Sequence, residues 1–173
     1  MKTNFLLTSL VIVLFSLTAN SQITKGNWMV GGEGVIRGYK FSNEDKYTFN
    51  AELFPKSGYF ILDKLAVGGE IGVFINRGNL YSSFVPFSRY YLLNEEKIVI
   101  PYVEAGFGLR NITNNSFSSN NVKMMYQFKV GSSIFFTNSA SMDISLNYKK
   151  RSFLFDQEIS IAFGFQLFLE RKR

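Results

Sequence analysis

Residues 64–75 read KLAVGGEIGVFI, and after Lys64 every residue is apolar or glycine except Glu70. A carboxylate in such a run is costly to bury unless it has a partner. Period-two alternation resolves the difficulty. Val67, Ile71, Val73 and Ile75 fall on one side of an extended strand, and Gly68, Glu70 and Gly72 fall on the other.

The same pattern recurs outward along the chain. Eight segments alternate: Trp28–Phe41, Tyr47–Phe60, Leu65–Ile75, Leu80–Leu92, Ile98–Ile112, Val122–Phe136, Met142–Phe153 and Glu158–Leu169. In the last, Ile159, Ile161, Phe163, Phe165, Leu167 and Leu169 oppose Glu158, Ser160, Ala162, Gly164 and Gln166. Most segments exceed the roughly five or six residues of an ordinary strand. They match the roughly 9 to 11 that cross a bilayer at a tilt. The polar faces together carry six acids, Glu33, Glu52, Glu70, Glu104, Asp143 and Glu158. Six bases stand against them: Arg37, Lys56, Arg89, Arg110, Lys129 and Lys149.

Two architectures accommodate one greasy face and one charge-balanced face. A soluble lipocalin-like barrel turns the apolar face inward around a ligand. A transmembrane barrel turns it outward, and with eight strands its interior is just wide enough for side chains to fill. The polar face here is rich in Gly, Ser and Ala, with one or two charges per strand, which suits a narrow interior. The apolar face carries too much Phe and Ile to line one small cavity. The expected fold is therefore all-β, a closed antiparallel eight-stranded transmembrane barrel with the twelve charges as an interior ion network. Aromatics at the strand ends, among them Tyr59-Phe60, Tyr90-Tyr91, Phe135-Phe136 and Phe168, are expected to form interfacial girdles. Pro86 is expected to open a bulge, because proline forfeits a ladder hydrogen bond.

Composition narrows the functions. The chain has no cysteine and no histidine, which removes disulfides, thiolate metal sites and the commonest general base. Aromatic residues make up 17% of it, with 19 Phe and 9 Tyr, and this favours strands. The first residues, MKTNFLLTSLVIVLFSLTANSQ, carry an apolar run from Phe5 to about Ala19, followed by small residues. Residues 1–21 are expected to be a signal peptide cut between Ser21 and Gln22, with residues 22–173 forming the barrel. The run is shorter than the roughly 20 residues of a spanning helix. Losing Lys2 lowers the formal net charge of +6 by one. This mild excess suits anionic lipid headgroups and is no nucleic-acid signature in an exported chain.

No motif points to chemistry. Gly32-Glu33-Gly34 and Gly106-Phe107-Gly108 lie inside alternating strands with no helix after them, so they do not cradle phosphates. Catalysis would need an activated nucleophile or a tuned base, and no serine has a recognisable partner. No catalytic residue, cofactor or metal site is assigned. A narrow channel and an outer-membrane enzyme are kept only as alternatives. The 111–121 stretch, NITNNSFSSNN, is the one long polar connection and a possible contact for an unknown surface ligand.

Three phrases carry a resemblance: FPKSGYFILDKLAVGGEIG (residues 54–72), FVPFSRYYL (84–92) and IPYVEAGFG (100–108). They resemble the outer-membrane protein beta-barrel domain family, small exported eight-stranded barrels of Gram-negative bacteria, over Gly26 to Phe168. The resemblance implies outer-membrane localisation, membrane lipids as surroundings and the barrel insertion machinery as a partner in biogenesis. It transfers no catalytic residue. Such barrels often end on an aromatic, whereas here Phe168 is followed by Leu169-Glu170-Arg171-Lys172-Arg173.

Overall fold

The hairpins form where the chain offers tight turns. Lys64 adopts a left-handed backbone (φ 67°), and the ladder beside it shifts register between Phe60 and Leu62. A turn followed by a left-handed residue and a bulge is a common way to close a short hairpin with the correct strand twist. A non-glycine residue pays for that conformation with contacts between Cβ and the backbone. Lys64→Gly is therefore expected to raise stability by about 1 kcal/mol in urea unfolding of the purified barrel, since both backbone bonds of residue 64, to Ile23 and Tyr91, survive. Unchanged or lower stability would contradict this. A second register shift, between Phe135 and Thr137, accompanies the Asn138-Ser139 turn.

A computed structural model of the chain describes residues 23–39, 48–76, 79–93, 98–113, 121–151 and 157–170. They form eight strands: β1 (Trp28–Tyr39), β2 (Thr48–Leu62), β3 (Leu65–Asn76), β4 (Asn79–Tyr91), β5 (Val99–Thr113), β6 (Asn121–Thr137), β7 (Ala140–Arg151) and β8 (Gln157–Leu169). Each pairs antiparallel with the next, and β1 pairs with β8 to close the barrel. The expected strands are all present, with ends displaced by one or two residues where both are described. The expected leader, residues 114–120 of the polar connection and the basic tail at 171–173 lie outside the described residues.

Pro86 does not open a bulge. It pairs with Gly69 on β3, and the β4–β5 register is the same before it, at Phe84↔Leu109, as after it, at Phe87↔Gly106. Val85 and Pro86 have no partner on β5, so the missing donor interrupts the ladder, but no extra residue is inserted and pairing resumes in the same register.

Apolar side chains point outward all round the barrel. Ile71 and Phe163 are 51% and 59% exposed, and Leu53, Phe107, Phe128 and Leu146 belong to the same belt. The soluble-carrier alternative needs these groups inside, and they are outside. No helix among the described residues is long and apolar enough to cross a membrane, which says nothing about strands.

The interior has two zones. At the end where β1 begins and β8 ends, Met29, Phe60, Ala66, Tyr91, Ile100, Tyr102 and Phe168 pack as a buried apolar plug. Ile23 closes it from below, its carbonyl accepting a bond from Lys64 N at 2.7 Å. Phe60, Tyr91 and Phe168 were expected in an interfacial girdle, and the structure places them inside instead. Strand parity explains this: Phe60 shares a face with Lys56, Tyr91 with Arg89, and Phe168 with Gln166. Their neighbours Tyr90 and Phe136 do face outward, as does Trp28, whose ring lies 5.1 Å from that of Tyr59.

Candidate functional site

Above the plug, the middle of the barrel is filled by charge. Glu33 from β1, Lys56 from β2, Glu70 from β3, Arg89 from β4, Glu104 from β5, Lys129 from β6 and Asp143 from β7 are all buried. Register brings them to one level: Lys56 faces Glu70, Arg89 faces Glu104, and Glu104 faces Lys129 across neighbouring strands. Glycines at Gly58, Gly68, Gly72, Gly106 and Gly131 share the inward face and leave room for the long side chains. At Gly68 an added Cβ would lie 2.0 Å from the Ser57 carbonyl oxygen and 2.8 Å from the Phe87 ring, so that position admits no side chain.

The ion pairs interlock. Lys129 Nζ donates to Glu33 at 2.7 Å and to Glu70 at 2.5 Å, and lies 3.1 Å from Glu104. Lys56 Nζ donates to Glu33 and, at 3.2 Å, to Glu104. Arg89 spreads its guanidinium between Glu104 (Nε, 2.7 Å) and Asp143 (Nη1, 2.6 Å), with Glu33 at 3.4 Å from Nη2. The same group lies 3.9 Å over the Tyr102 ring, a cation–π contact that joins the ion cluster to the apolar plug. Asp143 also accepts bonds from Ser133 and Ser141 at 2.6 and 3.3 Å. Charges buried this deeply persist only when paired and hydrogen-bonded, which is the condition met here.

Seven of the twelve expected network residues therefore meet: Glu33, Lys56, Glu70, Arg89, Glu104, Lys129 and Asp143. Glu52, Arg110, Lys149 and Glu158 stand apart from this cluster, towards the end where β1 finishes and β8 begins. Glu52, Arg110 and Lys149 are buried there, and Glu158 is half-buried. Arg37 lies in β1, and its side chain falls outside the described residues.

Glu33, Glu70 and Glu104 bring carboxylate oxygens within 4.8 Å of one another, close enough to hold a cation. The ammonium groups of Lys56 and Lys129 already sit among those oxygens. They supply the positive charge that a metal would bring, so the donor set does not call for one. Sequence reading missed the aromatic members, Tyr91 and Tyr102, and the serine donors to Asp143. Parity along β4, β5, β6 and β7 was the signal that locates them.

No protein-family model matches the chain, and no curated protein matches it. Solved structures do. The N-terminal beta-barrel domain of Pseudomonas aeruginosa OprF is 18% identical, with a TM-score of 0.64 over 84% of this chain and 98% of that one. Neisserial surface protein A is 13% identical, with a TM-score of 0.62 over 83% and 97%. The outer membrane protein OprG of Pseudomonas aeruginosa is 12% identical, with a TM-score of 0.55 over 88% and 100%. At these identities the likeness establishes the fold: the chain is a closed eight-stranded barrel of the outer-membrane type.

Proposed function

We propose that this chain is an integral outer-membrane barrel with a structural or surface-interaction role. Its interior ion network replaces water and holds the strands in register, and no wide pore or catalytic step belongs to its work. The observation that carries this reading is the pairing of opposites at one level of the barrel. Ile71, fully in the outward apolar belt, neighbours Glu70, which is 1% exposed and bonded to Lys129. Such a distribution is favourable when the outer solvent is hydrocarbon and unfavourable when it is water. The membrane lipids contact that belt, and the insertion machinery assembles it. A surface ligand, if one is taken, is met at the connection between β5 and β6.

Fractionation combined with heat-modifiable gel mobility tests this reading. The expected result is an outer-membrane band that migrates differently before and after boiling. A soluble periplasmic band would contradict it. Planar-bilayer recording is expected to show no stable conductance, because aromatic and charged side chains fill the lumen in series. A stable open conductance would favour the channel alternative.

A further inference from the structure

The outward belt is not uniform. Most of its positions carry Phe, Ile, Leu, Val or Tyr, but β1 has Gly32 and Gly34 in succession on the face that holds Trp28 and Val30. Gly69, outward on β3, is covered by the Phe84 ring, whereas nothing of that kind covers Gly34. The belt drops there to bare backbone. An apolar groove of about 790 Å³ follows, walled by Leu53 on β2 and by Phe163 and Phe165 on β8. That volume falls in the range of small-molecule sites, roughly 300–1,000 Å³. Met142 and Phe136 carry the groove across β7 towards the end of β6, which finishes at Thr137, the residue after Phe136.

Depth and chemistry decide what can lie there. Trp28 and Tyr59, in ring contact at the start of β1 and near the end of β2, stand at one membrane interface. Gly34 lies six residues beyond Trp28 on β1. At about 3.3 Å per residue and a tilt near 45°, it is about 14 Å deeper, close to the middle of a hydrocarbon core about 30 Å thick. Phe136, at the end of β6, is back at the interfacial level, so the groove descends from interface to mid-depth. No outward side chain around it carries a charge, a hydroxyl or an amide. Gly32 and Gly34 pair with Pro55 and Leu53 on one side and with Phe165 and Phe163 on the other, so the floor is engaged in its ladders. An occupant needs no polar group and would lose by burying one. A second copy of the barrel fits poorly, because a two-fold contact sets groove against groove and two facing hollows leave a void. A flexible run of methylenes fills such a hollow.

We propose that this groove is a seat for one phospholipid acyl chain, from the leaflet that meets Trp28 and Tyr59. The chain enters at the level of Phe136, passes Met142 and Phe165, and ends over Gly32 and Gly34 between Leu53 and Phe163. The proposal rests on the membrane reading above and adds to it one place on the belt where lipid is held in preference to the rest. The gain is in packing alone, because hydrocarbon covers every other part of the belt as well. The preference is therefore several-fold and not a matter of orders of magnitude.

Photo-crosslinking in a bilayer tests it. The full barrel is reconstituted into vesicles of phosphatidylethanolamine and phosphatidylglycerol that carry a trace of phosphatidylcholine with a diazirine in one acyl chain, and labelled residues are mapped by peptide mass spectrometry. A diazirine near the chain end is expected to label Leu53 and Phe163 several times more than Ile71 and Leu146, which lie elsewhere on the belt. A diazirine near the headgroup is expected to move the label to Met142 and Phe136. In Gly34→Phe a Cβ meets nothing nearer than 3.7 Å, so the ring fills the groove floor without displacing a strand, and labelling at Leu53 and Phe163 is expected to fall to the level of Ile71. Leu53→Ala, at a position 71% exposed, removes one wall without touching the lumen and is expected to lower labelling at Phe163. Label spread evenly round the belt, or a pattern unchanged in both variants, would overturn the proposal. So would disulfide-linked dimers of Gly34→Cys formed in high yield in the same vesicles, which would assign the groove to a second copy. Failure of the membrane reading would appear instead as a protein absent from the outer-membrane fraction.

Discussion

Arg89→Met is expected to destabilise the folded barrel by about 3–5 kcal/mol, the range for removing one partner of a buried, hydrogen-bonded ion pair. Arg89 is wholly buried and bridges Glu104 and Asp143, so its loss strands two carboxylates in a lumen with little water. Methionine keeps much of the length and apolar stem, which isolates the charge from the packing. Urea unfolding in detergent micelles, read as the fraction of heat-modifiable band, measures the effect. Asp143→Asn in the same chain is expected to restore part of the loss, because it removes one of the stranded charges, and the two changes will not add. A variant as stable as the parent would show that the ion cluster is incidental to folding.

Phe60→Ala is the second large effect, expected at about 3–5 kcal/mol, as for other truncations of buried aromatic residues. Phe60 is fully buried at the centre of the plug, with its ring 6.0 Å from that of Tyr91 and 6.2 Å from that of Phe168. Removing it leaves a hole that the strands cannot collapse around, since their spacing is fixed by the ladders. Phe60→Leu keeps most of the volume and is expected to cost less than about 1.5 kcal/mol. The same unfolding assay separates the two. Equal stability of Phe60→Ala and the parent would mean that the terminal end of the lumen is held by its turns alone.

The eight strands were legible because hydrocarbon outside and a narrow polar lumen inside impose the same two-residue rule on every strand. Glu70 shows how far that rule reaches: one alternating run was enough to place its carboxylate inside, where Lys129 meets it. The rule does not say how high along the axis a residue sits. Height depends on the stagger between strands, which is set by turn geometry such as the left-handed Lys64 and the two bulges. For that reason the sequence could gather twelve charges on one face but could not divide them. Seven meet in the middle, while Lys149 and Glu158 lie towards the far end. Phe60, Tyr91 and Phe168 were misplaced for a different reason. Aromatics at strand ends suggest an interface by type, yet their parity puts them in the lumen, and parity decides where a strand's two faces have different solvents. Pro86 leaves a gap in the β4–β5 ladder and not a bulge, because losing a donor removes a pairing without inserting a residue.

The seam between β1 and β8 closes the expected barrel, with Trp28–Gly34 paired to Phe163–Leu169. Their pairing ends at Gly34↔Phe163 although both strands continue with their other neighbours. Nothing in the composition of either strand announces this, because an unpaired edge is a property of two strands and the stagger between them.

The orientation of the two faces is tested most directly by site-directed spin labelling, which the absence of native cysteine makes simple. Nitroxides are attached to single cysteines at Phe163 and Ile71, and at Ser145 on the lumen face, in barrels reconstituted into phospholipid bilayers. Collision with oxygen, which concentrates in hydrocarbon, is compared with collision with a water-soluble nickel complex. Labels at Phe163 and Ile71 are expected to be mobile and reached by oxygen but not by nickel, while the label at Ser145 is immobilised and shielded from oxygen. Nickel-accessible labels at Phe163 and Ile71, or immobilised labels there beside a freely moving one at Ser145, would contradict the account.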